Sequence, residues 1–579
     1  MPTLNWIGKD KVVTHHLDVP YRVLEHRYTY PAPDDGVSAE SQNKIIRGDN
    51  LEALKALLPE YEGRIKCIYI DPPYNTGNEG WVYNDSVNDP KIRKWLGEVV
   101  GKEGEDLSRH DKWLCMMYPR LQLLHKLLAE DGAILISIDD NEYASLKFIC
   151  DEIFGCNCFV SNVSWQRTYS TRNDSKGIVN EVEHVLLYSK QPNWKPNKLP
   201  RTESMDAKYK NPDNDNLSWR TDNAFAPGAA THQGMVYAIQ HPFTGNMLYP
   251  SAGACWRYQQ SDMLEIMRGW CDYELKDLQD DAARAAVCGV PVEEVRKGVM
   301  GIILSEPFDV SAVKAKAIYK RGQWPRFFFT KGGYGGIARK TYLENVGGKL
   351  ATNLWLHAEV GHTDEAKKEM LAIFDGRAPF ETPKPSRLLE FVLRIASDEE
   401  SIILDSFAGS GTTAHAVLKM NKQSGGNRRF ILVEMMDYAE TITAERVRRV
   451  IDGYGSVEGA GGSFSFYDLG ETLLNGNQTI NEAVPTQKIR EYVYYMDTKQ
   501  PIQPQDEEEP YKLGVNNNTA YYFYYEKERA TTLSHEFLAT IRTQAEGYII
   551  YADINALSEE DLRRYNIVFK KIPRDIAKL

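Results

Sequence analysis

The residues whose types and order are best suited to catalysis are Asp71-Pro72-Pro73-Tyr74, which directly follow the apolar segment 65–70. Such an apolar segment is typical of a buried strand, and two consecutive prolines end it. A carboxylate, a rigid turn and an aromatic ring therefore stand at the carboxyl end of a strand. Open α/β sheets bind their ligands at that end, so the position predicts a binding or catalytic site.

These residue types suit the methylation of an exocyclic amino group on a nucleobase. Such an amine is a weak nucleophile, and two acceptors directed at its hydrogens would hold it while charge develops. The Asp71 carboxylate and the Pro72 carbonyl can be these acceptors, since proline lacks an N–H but keeps its C=O. Tyr74 offers a face on which an extruded base can stack. An ordinary proline turn is the alternative interpretation, because such tetrapeptides recur by chance.

A second run of residues has the pattern of a cofactor loop. The apolar segment 402–405 ends in Asp405 and continues into the glycine turn 406–411 and a helical sequence. A strand, a glycine turn and a helix together are typical of nucleotide-type cofactor sites, where glycine lets the backbone approach the ligand. About 20 residues further on, another apolar strand ends in Glu434, the expected place for a carboxylate that binds ribose hydroxyls.

The two motifs together resemble the S-adenosylmethionine-dependent amino methyltransferases of DNA. The shared motifs are Asp-Pro-Pro-Tyr and Asp-x-Phe-Ala-Gly-Ser-Gly-Thr-Thr, and the catalytic motif comes first, as in the family's beta class. The extended motif at 71–78, followed by 81–85, resembles the modification subunit of type III restriction–modification systems. The resemblance covers roughly residues 40–190 and 380–440 well and the remainder loosely.

The resemblance implies S-adenosylmethionine as cofactor and assigns residues to it. Asp405 would hold its ammonium, the loop backbone and Lys384 would flank its methionine part, and Asp49 would accept from its adenine. An N-cap role for Asp49 explains the sequence equally well. Phe407, which belongs to the predicted cofactor loop, can instead be a residue of the hydrophobic core. In the resembling families, a catalytic motif that begins with Asp usually acts on adenine and one that begins with Ser on cytosine, so the resemblance favours adenine N6 over cytosine N4. The full set of cofactor candidates is Asp49, Asn50, Asp71, Lys384, Asp405, Phe407, Ala408, Gly409, Ser410, Gly411, Thr412 and Glu434.

The alternation of apolar strands and amphipathic helices predicts an α/β fold, a Rossmann-like, doubly wound and mainly parallel sheet. A helix over 113–128, ended by Asp131-Gly132, precedes a strand at 133–139. Both motifs must lie in one sheet, because neither half alone has a base site and a cofactor site. The predicted domains are an arm (1–40), a catalytic domain in two parts (41–190 and 351–470), a target-recognition insert (191–350) and a C-terminal α/β domain (480–579) for dimerisation or partner docking.

The segment 313–340 of the insert interleaves basic and aromatic residues and is almost free of acids. This composition is typical of a nucleic-acid groove, although a basic hairpin facing solvent would look the same. The candidate DNA contacts are Lys320, Arg321, Trp324, Arg326, Lys331, Tyr334, Arg339 and Lys340.

The glycine-rich run 453–462 and the polar stretch 475–481 predict a hinge before the C-terminal domain.

Composition narrows the function further. The net charge of −12 does not exclude double-stranded DNA as a partner, because DNA responds to local potential. Eight irregularly spaced cysteines predict reduced packing residues and no metal site. The chain shows no targeting segment and no apolar run of bilayer length, which predicts a cytoplasmic protein without membrane contact.

The motifs that the sequence lacks restrict its chemistry. It has no Gly-x-x-x-x-Gly-Lys-Ser/Thr loop, which predicts that this chain does not translocate DNA by ATP hydrolysis. It also has no recognisable nuclease cluster of carboxylates and lysine, so any cleavage would belong to another chain, such as a separate restriction subunit with ATPase and nuclease activity. The resemblance also implies a homodimer. A non-catalytic, sequence-specific DNA-binding subunit that keeps a cofactor site is the rival interpretation, although an intact Asp-Pro-Pro-Tyr argues against it.

Overall fold

The computed structural model describes residues 3–31, 40–76, 109–169, 178–573 and 576. The chain divides into two compact units: Lys198–Lys349, here called the insert unit, and Met1–Asn197 with Leu350–Leu579, here called the main unit. The motif extension at 77–78 and 81–85 lies outside the described residues. No helix in the described ranges is both long and apolar enough to cross a bilayer.

The main unit is built on a ten-stranded sheet. Its spatial order is β1-β10-β2-β9-β8-β3-β4-β6-β5-β7, and all strands except β1 and β6 run in the same direction. The predicted mainly parallel α/β sheet is therefore confirmed. In chain order the strands are β1 (Arg22–Tyr30), β2 (Lys44–Arg47), β3 (Ile65–Ile70), β4 (Leu128–Ile138), β5 (Phe159–Gln166), β6 (Val182–Ser189), β7 (Leu354–Trp355), β8 (Ile402–Asp405), β9 (Arg429–Glu434) and β10 (Phe464–Thr472).

In the described part of the main unit outside its C-terminal segment, the first three helices of at least eight residues bury apolar side chains in one core with the strands, as the periodicity of the sequence predicts. Seven helices of this length lie in that part of the unit. They are α1 (Asn50–Tyr61), α2 (Arg109–Leu127), α3 (Tyr143–Phe154), α4 (Thr363–Ile373), α5 (Ser386–Ala396), α6 (Thr412–Ser424) and α7 (Glu445–Asp452).

The end of α2 differs from the prediction. The helix stops at Leu127 and β4 begins at the next residue, so Asp131-Gly132 lies within the strand and does not end the helix. A Cβ on Gly132 would lie 2.9 Å from the Ile65 carbonyl oxygen. Glycine is therefore needed there because β3 and β4 approach each other closely, which is a tertiary requirement that local sequence does not reveal.

The two motif-bearing strands are neighbours. In the parallel pair of β3 and β8, Cys67 lies opposite Ile403 and Ile68 opposite Leu404. Strand β9 pairs with β8 on its other side, also in parallel. Because the carboxyl ends of parallel strands meet at one edge, the residues that follow β3, β8 and β9 lie close together, although β3 precedes β8 by more than 300 residues in the chain.

The glycine-rich run after α7, predicted as part of a hinge, has regular structure and is followed by a further strand of the main sheet. It forms a short hairpin of Gly453–Tyr454 with Val457–Glu458, and the chain then returns to the main sheet as β10 beside β2. A helix, Thr486–Thr498, follows. The C-terminal segment ends in a four-stranded sheet of Lys512–Asn516, Thr519–Phe523, Gly547–Ala552 and Ile567–Lys571.

The insert unit combines three helices of eight or more residues with small sheets around an aromatic core. The helices are Gln260–Met267, Asp281–Cys288 and Phe308–Arg321. One sheet joins Trp219–Asn223, Phe327–Phe329 and Ile337–Tyr342, another joins Ile239–Gln240, Met247–Leu248, Tyr273–Lys276 and Gly301–Leu304, and Phe225–Pro227 pairs with Ala254–Trp256. In the segment 313–340, the end of the third helix is followed by two strands that pair antiparallel. The hairpin of the alternative interpretation is therefore present, although its strands are largely buried, and the groove stays a prediction.

Candidate active site

The turn after β3 is fixed from two sides. Trp113 of α2 donates its indole N–H to the Pro73 carbonyl at 2.7 Å. Asn75 adopts a left-handed conformation, with φ of 58°, and donates its amide to Glu142 Oε1 at 2.5 Å. Both Asn75 and Glu142 are buried. The turn therefore presents Asp71 and Tyr74 from a rigid backbone.

The two oxygens of the Asp71 carboxylate have different environments. Its Oδ2 accepts from the Lys384 ammonium at 2.6 Å. Its Oδ1 is buried, and no hydrogen-bond partner for it occurs among the residues that the structure describes. A buried acceptor without a donor costs about 1–3 kcal/mol. An N–H group of a ligand at this oxygen would remove that cost.

The Tyr74 side chain lies next to the ion pair of Asp71 with Lys384. The Lys384 ammonium lies 5.0 Å from the centroid of the Tyr74 ring, and the Tyr74 hydroxyl donates to Glu183 Oε2 at 3.1 Å. Burial, together with the charges of Asp71 and Glu183, raises the pKa of Tyr74 well above its usual value. Tyr74 is therefore a neutral phenol whose ring orientation is set by its hydroxyl partner.

The glycine turn after β8 begins with a buried carboxylate. Asp405 Oδ1 accepts from the Phe407 N–H at 3.1 Å, and Oδ2 accepts from the Thr413 hydroxyl at 2.5 Å. Gly409 and Gly411 have φ of 52° and 80°, a region that favours glycine. Burial raises the pKa of Asp405 to about 7. The carboxyl is therefore poised to ionise when a cation approaches.

Glu434 holds the cofactor loop through its backbone. At the end of β9 it accepts from the Gly409 N–H at 2.8 Å and from the Met436 N–H at 3.0 Å. Burial raises the pKa of Glu434 to about 7. The structure thus brings Glu434 against the loop that the sequence pairs with it.

A buried arginine that no motif indicates supports the same loop. Arg446 of α7 donates to the Ser410 hydroxyl at 2.9 Å and to the Thr412 hydroxyl at 2.8 Å. It also donates to Glu369 at 2.9 Å, and Glu369 accepts from the Ser386 hydroxyl at 2.6 Å. These bonds connect the loop to the first turn of α5, directly after Lys384-Pro385.

Asp49 and Asn50 lie where β2 meets α1. Asp49 caps the helix by accepting from the Leu51 N–H at 2.8 Å and the Glu52 N–H at 3.3 Å. Asn50 is buried and donates to the Ser406 carbonyl at 3.2 Å, which ties it to the cofactor loop. The N-cap interpretation of Asp49 is therefore observed. A ligand role for Asp49 and Asn50 stays a prediction.

A small cavity joins the two motifs. It has a volume of about 30 Å³, whereas ligand pockets usually measure about 300–1,000 Å³. The lining includes Tyr69, Asp71, Phe380, Lys384, Asp405, Phe407, Ala408, Gly409, Ser410, Thr412 and Thr413. Buried carboxylates and a glycine loop suit a cationic nucleoside such as S-adenosylmethionine.

The described residues contain no cluster of three or more His, Cys, Asp or Glu side chains that could hold a metal ion. Seven of the eight cysteines are buried, but Cys156 is exposed. The prediction that all eight cysteines pack in the interior is therefore wrong for Cys156, which sits in a surface turn between α3 and β5.

Lys340 cannot serve as a DNA contact, which corrects the prediction. Its ammonium is fully buried and lies 2.5 Å from both Asp213 and Asp215. Arg339 is similarly paired, at 2.5 Å from Asp222. The segment 313–340 lacks acids, but the fold brings in acids from a strand and turn more than 100 residues earlier.

Trp324 also belongs to the aromatic core of the insert unit, because its ring stacks on Tyr319 with 4.4 Å between centroids. The remaining DNA candidates are exposed on the insert unit: Lys320, Arg321, Arg326, Lys331 and Tyr334.

Replacing Lys340 by methionine should destabilise the insert unit by about 3–5 kcal/mol, because two carboxylates then lose their buried counter-charge. Hydrogen exchange of the amides in Trp219–Asn223 and Ile337–Tyr342 measures this loss locally. The matched control is Lys320→Met, at an exposed position of the same unit, which should change stability by less than about 0.5 kcal/mol. Equal protection in the two variants would contradict a structural role for Lys340.

Cofactor binding should tighten as the pH rises. With a pKa of about 7 for Asp405, its carboxyl is mostly protonated at pH 6 and would have to lose that proton to hold the ammonium that the sequence resemblance predicts for it. Affinity should therefore rise about tenfold between pH 6 and 8, since one pKa unit corresponds to a factor of ten. Calorimetry in buffers of different ionisation enthalpy measures the affinity and the proton release together. The variant Asp405→Asn should bind weakly, and the part of the pH dependence due to Asp405 should be absent.

The same carboxyl should affect folding stability in the opposite direction: as the pH rises, its contribution to stability falls while cofactor affinity rises. The pKa of Asp405 in the folded chain, about 7, lies above its ordinary value of 3.8. The folded state therefore binds more protons between these values, and the contribution of this group to stability falls as the pH rises from about 4 to 7. Bound cofactor should reduce that fall. An affinity that is flat from pH 6 to 8 would show that Asp405 does not face the cation.

Comparison with known proteins identifies the family. A family model described as DNA methylase matches residues 65–280 and 301–445, more than half of the chain. The Mod subunit of the type III restriction-modification enzyme StyLTI from Salmonella typhimurium is 33% identical over 409 residues, which cover 68% of this chain and 52% of that protein. The EcoP15I Mod subunit from Escherichia coli is 29% identical over 461 residues, covering 75% of this chain and 64% of that subunit.

A type II enzyme is also similar. The methyltransferase M.KpnI from Klebsiella pneumoniae is 27% identical over 404 residues, which cover 68% of this chain and 81% of that enzyme. The chain thus spans about half to two thirds of the length of the two type III subunits. The family match includes both the Asp-Pro-Pro-Tyr turn and the glycine loop. On this evidence the chain belongs to the DNA methylase family.

Proposed function

We propose that this protein is a site-specific DNA methyltransferase that transfers a methyl group from S-adenosylmethionine to N6 of an adenine flipped out of the duplex. The observation that carries the proposal is the pairing of β3 with β8, which sets the Asp71 turn beside the Asp405 loop. Methyl transfer requires an amine and a methyl donor in direct contact. These neighbouring strand ends are suited to hold one partner each.

The cofactor supplies a methyl group activated by a positively charged sulfonium. Asp405 would bind the ammonium of its methionine part, and the backbone of the turn from Phe407 to Gly411 would surround that part. Glu434 would bind the ribose hydroxyls, and its bonds to the Gly409 and Met436 N–H groups keep it in place. The other residues proposed for the cofactor are Asp49, Asn50, Asp71, Lys384, Ala408, Gly409, Ser410 and Thr412.

The base would be held by the turn after β3. Asp71 Oδ1 and the Pro72 carbonyl would accept the two amino hydrogens, which favours a localised lone pair on nitrogen. Tyr74 would stack on the extruded base. No general base is needed to start the reaction, because the amine proton leaves after the carbon–nitrogen bond has formed. Pro73 contributes rigidity, since Trp113 binds its carbonyl.

Double-stranded DNA is the proposed substrate, and the insert unit is proposed to read its sequence through the exposed residues Lys320, Arg321, Arg326, Lys331 and Tyr334. The type III relatives are named as subunits of restriction-modification enzymes. We therefore propose that a homodimer of this chain works in the cytoplasm, either alone or with a separate restriction subunit that carries ATPase and nuclease activity.

Analysis of the reaction product tests the proposal. Purified protein is incubated with plasmid DNA from a methylation-free host and with cofactor carrying a deuterated methyl group, and the hydrolysed nucleosides are measured by mass spectrometry. Labelled N6-methyladenine is expected. Labelled N4-methylcytosine would overturn the choice of adenine. Unlabelled DNA from protein that binds the cofactor would instead support the non-catalytic DNA-binding subunit.

A further inference from the structure

Glu183 is a buried carboxylate beside the catalytic turn that no sequence motif indicates. It lies on β6 and is 6% exposed. One oxygen accepts from the Tyr74 hydroxyl at 3.1 Å, and the other accepts from Arg167 Nη1 at 2.8 Å. The Lys384 ammonium is 4.0 Å away. Glu183 thus contacts the group proposed to stack on the base and adjoins the lysine that binds Asp71.

The charges around the proposed base site alternate in sign. Arg167 pairs with Glu183, Glu183 adjoins Lys384, and Lys384 pairs with Asp71. The Lys384 side chain is only 12% exposed, so its charge needs nearby compensation. Burial alone would lower the pKa of Lys384, but the two carboxylates outweigh it and raise the pKa above the ordinary value. Lys384 therefore stays an ammonium and a hydrogen-bond donor.

The lysine determines which oxygen of Asp71 is available. Its ammonium occupies Oδ2, so the carboxylate can offer Oδ1 to another donor. The ring of Tyr74 is fixed in a comparable way, because its hydroxyl is anchored on Glu183. Two groups proposed to touch the base are thus oriented by the same charged cluster, in which Glu183 lies on β6 and Lys384 lies in the segment before α5.

We propose that Glu183 is a positioning residue of the base site, which orients the Tyr74 ring directly and the Asp71 carboxylate through Lys384. This inference rests on the proposed methyl transfer to a flipped base. Glu183 does not line the cavity around the cofactor loop. Its loss should therefore impair the handling of DNA and the transfer step, while the affinity for the cofactor alone stays nearly unchanged.

The test compares Glu183→Ala and Glu183→Gln with the matched control Glu181→Gln, two residues earlier in the chain. For each variant, calorimetry gives the Kd for S-adenosylmethionine, and kinetics on unmethylated plasmid DNA give kcat and KM. We expect Glu183→Ala to lower kcat/KM for DNA at least tenfold while Kd changes less than threefold. Glu183→Gln should recover part of the loss, because its amide oxygen can still accept from the Tyr74 hydroxyl. The control should match the unaltered chain.

A double-mutant cycle with Tyr74→Phe distinguishes the effect that Glu183 exerts through the Tyr74 hydroxyl from the effect that it exerts through Lys384. If Glu183 acts partly through the Tyr74 hydroxyl, its replacement should cost less in the Tyr74→Phe background than in the unaltered chain. Unchanged kinetics in Glu183→Ala, or a loss confined to cofactor affinity, would overturn the inference. The proposed function fails separately, since in that case the unaltered chain itself would transfer no methyl group to DNA.

Discussion

Replacing Asp71 by alanine should reduce methyl transfer to DNA at least 100-fold, while the Kd for S-adenosylmethionine changes less than threefold. The carboxylate is proposed to stabilise charge that develops on the amine, and removing one such preorganised group typically costs about 10²–10³ in rate. Asp71 also lines the cavity and is among the residues proposed for the cofactor, but the ammonium and the ribose hydroxyls are assigned to Asp405 and Glu434, which the substitution leaves in place. Single-turnover kinetics with saturating cofactor measure the transfer step directly.

A second variant at Asp71 distinguishes a loss of the transfer step from a loss of folding stability. Asp71→Ala leaves the Lys384 ammonium without its nearest counter-charge, so Asp71→Asn, which keeps the shape of the side chain, is measured in parallel. The matched control is Asp364→Ala, an exposed carboxylate on α4, which should leave the rate unchanged. Transfer by Asp71→Ala at more than about a tenth of the normal rate would show that Asp71 is not the acceptor of the amine.

Replacing Glu434 by alanine should weaken cofactor binding first, raising the Kd at least tenfold. Two losses combine: a carboxylate for the ribose hydroxyls, and the acceptor for the Gly409 and Met436 N–H groups. Hydrogen bonds to charged groups contribute about 1.5–3 kcal/mol each. With saturating cofactor the single-turnover rate should fall much less than it does in Asp71→Ala. Calorimetry with S-adenosylmethionine measures the Kd.

The glutamine variant identifies which of these losses matters. Glu434→Gln keeps an acceptor for one backbone N–H and should give an intermediate Kd. Glu399→Ala, at an exposed loop position before β8, is the control and should bind the cofactor normally. An unchanged Kd in Glu434→Ala would remove the ribose role from Glu434.

Much of the catalytic fold could be predicted from the sequence because its signals are local. Continuous apolar runs such as 65–70 and 402–405 identify buried strands without knowledge of their partners. The glycine loop and the Asp71 turn are contiguous motifs, so their chemistry is visible in a few residues. That both motifs lie in one sheet followed from function, since neither half alone has a base site and a cofactor site, whereas the direct pairing of β3 with β8 is seen only in the structure.

The polar partners of these motifs could not be predicted, because they come from distant parts of the chain. Glu183 of β6 binds Tyr74 and Arg446 of α7 binds Ser410 of the glycine loop, while Glu369 of α4 binds Arg446. None has a neighbouring residue pattern that marks it, and a buried charge is recognisable only when its counter-charge is known.

Lys340 illustrates the same limit in the insert unit. Its segment looks like a DNA-binding surface in sequence, yet Asp213 and Asp215 neutralise it in the fold. Composition therefore indicated a basic segment correctly but could not tell exposed cations from buried ones.

Single-molecule sequencing of host DNA, after expression of this chain alone in a methylation-free strain, tests the central claim most directly. N6-methyladenine confined to one short sequence motif is the predicted result, and the mark should be absent when Asp71→Ala is expressed instead. Marking of only one strand of an asymmetric motif would further support the type III assignment. DNA without any modification, in cells that contain folded protein able to bind the cofactor, would contradict the claim that this chain by itself is a DNA adenine methyltransferase.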